Sequence, residues 1–102
     1  MFVLNDKIVG IPTIQKTVAE YFSLSIDNLL SEKKLQNVTR PRQMAMSLAR
    51  ELTPHSFPEI GGAFNGRNHT TIISACKKVD ELKKIDLKVS EDYVELIRLL
   101  ST

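Results

Sequence analysis

The chain has 102 residues, 42% of them hydrophobic and 25% charged, which suits one ordinary globular domain and leaves little room for a second. Its apolar runs are too short to span a membrane, and the first ten residues carry Asp6 and Lys7 where a secretory signal needs an apolar core. The lone Cys76 excludes an internal disulfide and a multi-cysteine zinc site and fits a reducing, cytosolic setting, while 6% aromatics without tryptophan argue against a single-strand binder built on stacked rings. The net charge of +2 is unevenly divided: 33–79 holds eight basic residues against two acids, a balance of +6, and the remainder stands at −4. A basic centre between acidic ends is the electrostatic footprint of a polyanion binder.

Helical spacing runs through almost the whole chain. Ile14, Val18, Tyr21 and Phe22 share one face of a first helix introduced by Pro12 and Thr13. Ser25 is placed to cap a short second helix carrying Ile26, Leu29 and Leu30. From Ser31 to Thr39 the apolar rhythm lapses, and a polar, basic loop is expected. Met44, Ala45, Leu48, Ala49 and Leu52 then form an amphipathic stripe, for which Thr39 is the expected cap, Pro41 a first-turn residue and Pro54 the stop. Met44 and Met46 read as packing residues.

Ser56-Phe57-Pro58-Glu59 has the spacing of a capping box, opening a short helix whose apolar face is Phe57, Ile60 and Phe64. Asn65-Gly66 is a turn pair, because both residues tolerate positive φ. Asn68 caps the next helix, with Ile72, Ala75 or Cys76, Val79 and Leu82 as its buried stripe. A last helix is expected from Ser90, with Glu91 and Asp92 in its first turn and Val94, Ile97 and Leu100 facing inward. Lys83, Lys84 and Lys88 read as a solvated face. No segment alternates like a strand, so the expected fold is all-α: a compact domain of about six helices.

The two helices between about Ser56 and Lys84, joined by a glycine-containing turn, make a helix-turn-helix candidate. Helical hairpins are common, so the start of the second helix carries the argument. Asn68, His69, Thr70, Thr71 and Ser74 are short and hydrogen-bonding, and Lys77 and Lys78 follow. A recognition helix enters the major groove by its N-terminal end, where short polar side chains reach base edges and a threonine methyl can meet a thymine methyl. The basic residues just upstream are placed to hold phosphates, fixing register without reading sequence.

The run Ile60-Gly61-Gly62-Ala63-Phe64-Asn65-Gly66-Arg67-Asn68-His69-Thr70-Thr71-Ile72 resembles the signature of the C-terminal DNA-binding domain of the bacterial chromosomal replication initiator DnaA family, usually Ile-Gly-x-x-Phe-Gly-Gly-Arg-Asp-His-Thr-Thr-Val. Arg40-Pro41-Arg42-Gln43-Met44-Ala45-Met46 resembles that family's other hallmark, and Ile14-Gln15-Lys16-Thr17-Val18-Ala19 its domain entry. The resemblance implies a duplex-DNA-binding domain over 13–102, preceded over 1–12 by the linker or tail of an ATPase domain, so that the chain reads as a monomeric excised fragment beginning at an added or internal Met1. It implies binding to short asymmetric boxes close to TTATCCACA at the replication origin, in a cytoplasmic, nucleoid-associated protein. Base contacts are implied for Asn68, His69, Thr70 and Thr71 in the major groove, for Phe57 and Pro58 before the short helix, and for Lys34 in the minor groove. Phosphate contacts are implied for Arg42, Gln43 and Arg50. Lys33, Arg67 and His55 join that set, with His55 open to two readings, a phosphate contact or a plain loop residue. The family's ATP, its assembly with other initiator protomers and its contact with acidic phospholipids would belong to the parent protein, and no cofactor is expected in this fragment.

Three departures from the family pattern bear on specificity. Asn68 replaces an aspartate, which only accepts hydrogen bonds, whereas asparagine accepts or donates, so a preference for a cytosine amino group is open. Lys34 replaces an arginine and is a more strongly hydrated point charge. Leu35, Gln36 and Asn37 make the loop less basic than usual, while Asn65 for glycine is mild because asparagine tolerates the left-handed conformation. Enzymatic readings find little support. Cys76 lies on an apolar stripe and has no indicated base or pocket, and Gly61, Gly62 and Gly66 lack the Gly-Lys-Ser/Thr ending of a phosphate loop. No catalytic residue and no metal site are expected. The alternatives from other classes are a helical protein-interaction module and an anionic-lipid binder, each using the same basic face.

Overall fold

The computed structural model describes residues 9–101. Among them it has six helices and no strand: α1 (Ile11–Tyr21), α2 (Ile26–Leu30), α3 (Gln36–Leu52), α4 (Phe57–Ala63), α5 (His69–Ile85) and α6 (Leu87–Ser101). The tail expected over 1–12 falls mostly outside the described residues; α1 itself opens on Gly10 with Pro12 in its first turn, where a missing N–H removes no helical bond.

The long helix α3 is the spine, packed against α5 on one side and α1 on the other, with α4 and α6 both laid on α5. Ile14, Val18, Leu29, Leu48, Ile60, Phe64, Ile72, Val79 and Leu96 are wholly removed from solvent at the meeting of these helices. The polar atoms of Gln15, Ser47 and Tyr93 inside the core are paired. Gln15 Nε2 donates to the Ala63 carbonyl (2.9 Å), tying α1 to the end of α4. The Tyr93 hydroxyl donates to Glu51 Oε1 (2.8 Å) and lies 3.0 Å from Ser47 Oγ, tying α6 to α3. Buried groups left unpaired would cost about 1–3 kcal/mol each, so these bonds fix how the helices seat.

Several expectations are corrected. The helix α3 begins at Gln36, not after Thr39, with Leu35 at its N-cap and no side-chain cap. Val38 and Pro41 are buried, and this burial outweighs the cost of a proline in the helix interior. Thr39 lies within the helix, its Oγ1 buried with no hydrogen-bond partner among the described residues. The last helix starts at Leu87, not Ser90, because the Asp86 carboxylate accepts the amides of Lys88 (3.0 Å) and Val89 (3.3 Å) and acts as its cap. Its inward face is Val89, Tyr93, Leu96 and Leu100 with Ile97 half-buried beside them, while Val94 is 64% exposed. Of the lysines expected on a solvated face, Lys84 and Lys88 are exposed, with Lys88 Nζ 3.0 Å from Asp92 Oδ1, whereas Lys83 is half-buried with its Nζ 4.0 Å from the centre of the Tyr93 ring.

Candidate nucleic-acid interface

The helix-turn-helix is built from α4, the turn over 64–68 and α5. Ser56 Oγ accepts the Glu59 amide (3.3 Å) and Glu59 Oε1 accepts the Ser56 amide (2.8 Å), so the capping box fixes where α4 begins. The turn is made by Asn65 (φ 61°) and Gly66 (φ 70°), both left-handed. Asn68 Oδ1 accepts the backbone amide and the hydroxyl of Thr70, each at 2.9 Å, and so starts α5.

This geometry puts Asn68, His69, Thr70 and Thr71 in solvent at the free end of α5, with Ile72, Ala75 and Val79 holding the other face in the core. With its Oδ1 committed to the cap, Asn68 presents an amide N–H₂, a donor, and that group has no partner among the described residues. Beside this helix end runs a groove of about 730 Å³ between the α2–α3 loop, α3 and α5. It brings together five of the expected contact residues, Lys34, Arg42, Gln43, Arg67 and Thr71, and adds Thr39, Ser74 and Lys78 to them. The Gln43 side chain accepts from Arg40 Nε (3.3 Å) through its oxygen, which leaves its N–H₂ to donate outward.

A second cluster lies where α3 meets α4. The Arg50 guanidinium sits 4.3 Å from the centre of the Phe57 ring and donates to the His55 carbonyl (3.1 Å). His55 Nδ1 in turn stands 3.5 Å from Glu59 Oε1. Arg50 and Pro58 are exposed, while Phe57 and His55 are partly covered by these contacts. Lys33 and Lys34 are exposed on the loop, with Lys33 Nζ resting 3.2 Å from Asn28 Oδ1.

Arg42 and Arg67 are placed differently from the other expected phosphate residues. Arg42 is only 7% exposed and donates to the carbonyls of Leu29 (2.8 Å) and Lys33 (3.0 Å). Arg67 donates to those of Leu30 (3.2 Å), Phe64 (2.9 Å) and Ser31 (2.6 Å). Sequence reasoning treats both as surface charges because nothing local marks their partners, which are main-chain groups up to 37 residues away.

Cys76 is half-buried, and burial pushes its thiol pKa up, which lowers its nucleophilicity at neutral pH. No cluster of three His, Cys, Asp or Glu side chains suited to a metal occurs among the described residues. Nor is any described helix long and apolar enough to cross a membrane.

Residues 11–79 match the family described as bacterial dnaA protein helix-turn-helix. The match runs from the first residue of α1 through most of α5, so it takes in both the loop with Lys33 and Lys34 and the helix-turn-helix itself. The unit is a DNA-binding module of replication initiation rather than a catalytic one, and its partner is double-stranded DNA. By this match and by its six-helix fold around a helix-turn-helix, the chain belongs to the bacterial DnaA helix-turn-helix family.

Proposed function

We propose that this domain recognises a short asymmetric duplex box, close to TTATCCACA, at a bacterial replication origin. The observation that carries the reading is the exposed, hydrogen-bonding start of α5, Asn68 to Thr71, beside a groove carrying Lys34 and Lys78. In this reading α5 enters the major groove by its N-terminal end, and His69, Thr70 and Thr71 meet base edges there. Phe57 and Pro58, at the start of α4, stand beside the same strand. The α2–α3 loop reaches the adjacent minor groove with Lys34. Gln43, Arg50 and Lys33, with His55 at the α4 entrance, hold phosphates and fix register. ATP, other initiator protomers and acidic phospholipids would engage the parent protein outside the helix-turn-helix.

The test is a pair of titrations at one salt concentration, with a duplex carrying the box and with a scrambled duplex of equal length. A sequence reader prefers the box on the order of a thousandfold. A generic basic surface binds both alike, with a shared salt dependence, and that result would put the protein-interaction or lipid reading ahead.

A further inference from the structure

The carbonyls at the end of α2 are held by side chains from two distant elements. A helix end leaves its last carbonyls without helical partners, and here Leu29, Leu30, Ser31 and Lys33 all have theirs filled from outside. Arg42 of α3 takes Leu29 and Lys33, while Arg67 of the helix-turn-helix turn takes Leu30 and Ser31. Asn65 Nδ2 adds a second bond to the Leu30 carbonyl (2.8 Å). Neither arginine forms an ion pair with a carboxylate among the described residues. Burial, and then the neighbouring Arg67 charge, lower the pKa of Arg42, as two cations set close together require.

We propose that Arg42 and Arg67 are positioning residues, clamping the Leu29–Lys33 carbonyls so that the loop bearing Lys33 and Lys34 is held at a fixed offset from the recognition helix α5. This rests on the duplex reading above and deepens it: the loop and α5 would enter adjacent grooves, and the clamp sets the distance between them. The chemistry suits the task. A guanidinium presents several donors in a rigid fork, whereas a lysine ammonium in the same place is a point charge that cannot span carbonyls on successive residues. Holding the loop before DNA arrives removes an ordering cost that would otherwise fall on binding.

The test uses Arg67→Lys, which keeps the charge and loses the fork, and Asn65→Gly, which keeps a residue suited to the left-handed turn and loses one bond to Leu30. In the DNA-free chain, amide exchange over 31–36 should speed up about tenfold in Arg67→Lys and by less in Asn65→Gly, with the centre of α3 unchanged. Arg67→Lys should weaken cognate binding about tenfold while leaving the salt slope as in wild type. In a background carrying Lys33→Ala and Lys34→Ala it should have no further effect on binding, because it acts through the loop. The proposal is overturned if Arg67→Lys binds like wild type while Arg67→Ala flattens the slope by about one, the mark of a direct phosphate contact. Unchanged exchange over 31–36 overturns it equally, and should Arg67→Lys fail to fold, Asn65→Gly carries that measurement. A wild-type chain without box preference would instead sink the duplex reading, and exchange alone would then decide the clamp.

Discussion

Gly61 and the Arg67 carbonyl approach so closely that a Cβ at position 61 would stand 2.1 Å from the Arg67 oxygen. The Arg67 amide also donates to the Gly61 carbonyl (2.9 Å), so the chain crosses back over α4 just before α5 begins. Backbone cannot yield here as a flexible side chain would. Gly61→Ala should therefore cost about 1–3 kcal/mol, with a melting temperature lower by roughly 4–8 °C per kcal/mol. Gly62, one residue on, has nothing within 4 Å of its would-be Cβ. Gly62→Ala should raise stability by about 0.5–1 kcal/mol through reduced backbone entropy of the unfolded chain. Equal melting temperatures for the two variants would contradict the close approach.

The capping box gives an acid-side prediction. The Ser56 amide and then the Ser56 side chain hold the Glu59 carboxyl below its ordinary pKa of 4.5, with a smaller push from His55. A carboxylate with a depressed folded pKa contributes stability that is complete above the unfolded value and is lost as pH falls through the folded one. The melting temperature of the wild type should thus fall as pH drops below about 4.5, and Glu59→Gln should remove that part of the slope. Ser56→Ala should cost about 1 kcal/mol at neutral pH. A Glu59→Gln profile that overlays the wild type would show the box to be energetically idle.

At the alkaline end the two tyrosines act in the opposite sense. The Tyr21 hydroxyl donates to Asp92 Oδ1 (2.8 Å), and this bond, followed by burial, pushes its pKa from 10.0 up to about 12. Burial raises Tyr93 as well, with its bond to Glu51 adding to the effect and that to Ser47 opposing it. A raised folded pKa means the neutral phenol is favoured by folding, so its contribution is complete below pH 10 and is lost as pH rises through about 12. Tyrosinate absorbance should stay low in the native chain at pH 11, and Asp92→Asn should bring the Tyr21 titration back toward its ordinary value. Normal titration of Tyr21 in the wild type would refute the α1–α6 bond.

What was legible in the sequence was local chemistry. The caps at Ser25, Ser56 and Asn68 and the Asn65-Gly66 turn depend on residues within three or four positions of each other, and the structure forms all of them. Pro41 misled because the preference of proline for a first turn is local, whereas the start of α3 is decided by burial of Val38 and Pro41 against other helices. In α6 two stripes compete at helical spacing. Val94 and Tyr93 both start runs at helical spacing, and contact with α5 and α1 buries Tyr93, Leu96 and Leu100 and packs Ile97 against the core while leaving Val94 exposed. The exposed start of α5 could be read because the Asn68 cap and the apolar stripe behind it are local signals. The inward turn of Arg42 and Arg67 could not, since main-chain carbonyls leave no mark in a sequence.

The recognition helix gives a binding prediction that leaves the fold alone. His69 and Thr71 are exposed at the start of α5, away from its buried stripe. A lost base contact typically changes specific binding by about 1–3 kcal/mol. His69→Ala and Thr71→Ala should each reduce binding to the box about fivefold or more, with non-specific binding and melting temperature retained. Wild-type discrimination in both variants would remove α5 from the base-reading role.

Asn68 supplies the sharpest test, because its two polar atoms have separate duties. Its Oδ1 is spent on the Thr70 amide and hydroxyl, so only the N–H₂ faces outward, and an N–H₂ can pair with base acceptors such as guanine O6 or thymine O4. An aspartate here would keep one carboxylate oxygen on the cap and turn the other outward, accepting from the cytosine amino group. Asn68→Asp should thus leave the melting temperature nearly unchanged, since both residues cap well. It should also move the preferred base at one box position from an acceptor toward cytosine, by about 1–3 kcal/mol. Selection from a random duplex library, run side by side for wild type and Asn68→Asp, reads this directly. Identical selected boxes would mean that residue 68 caps α5 and touches no base.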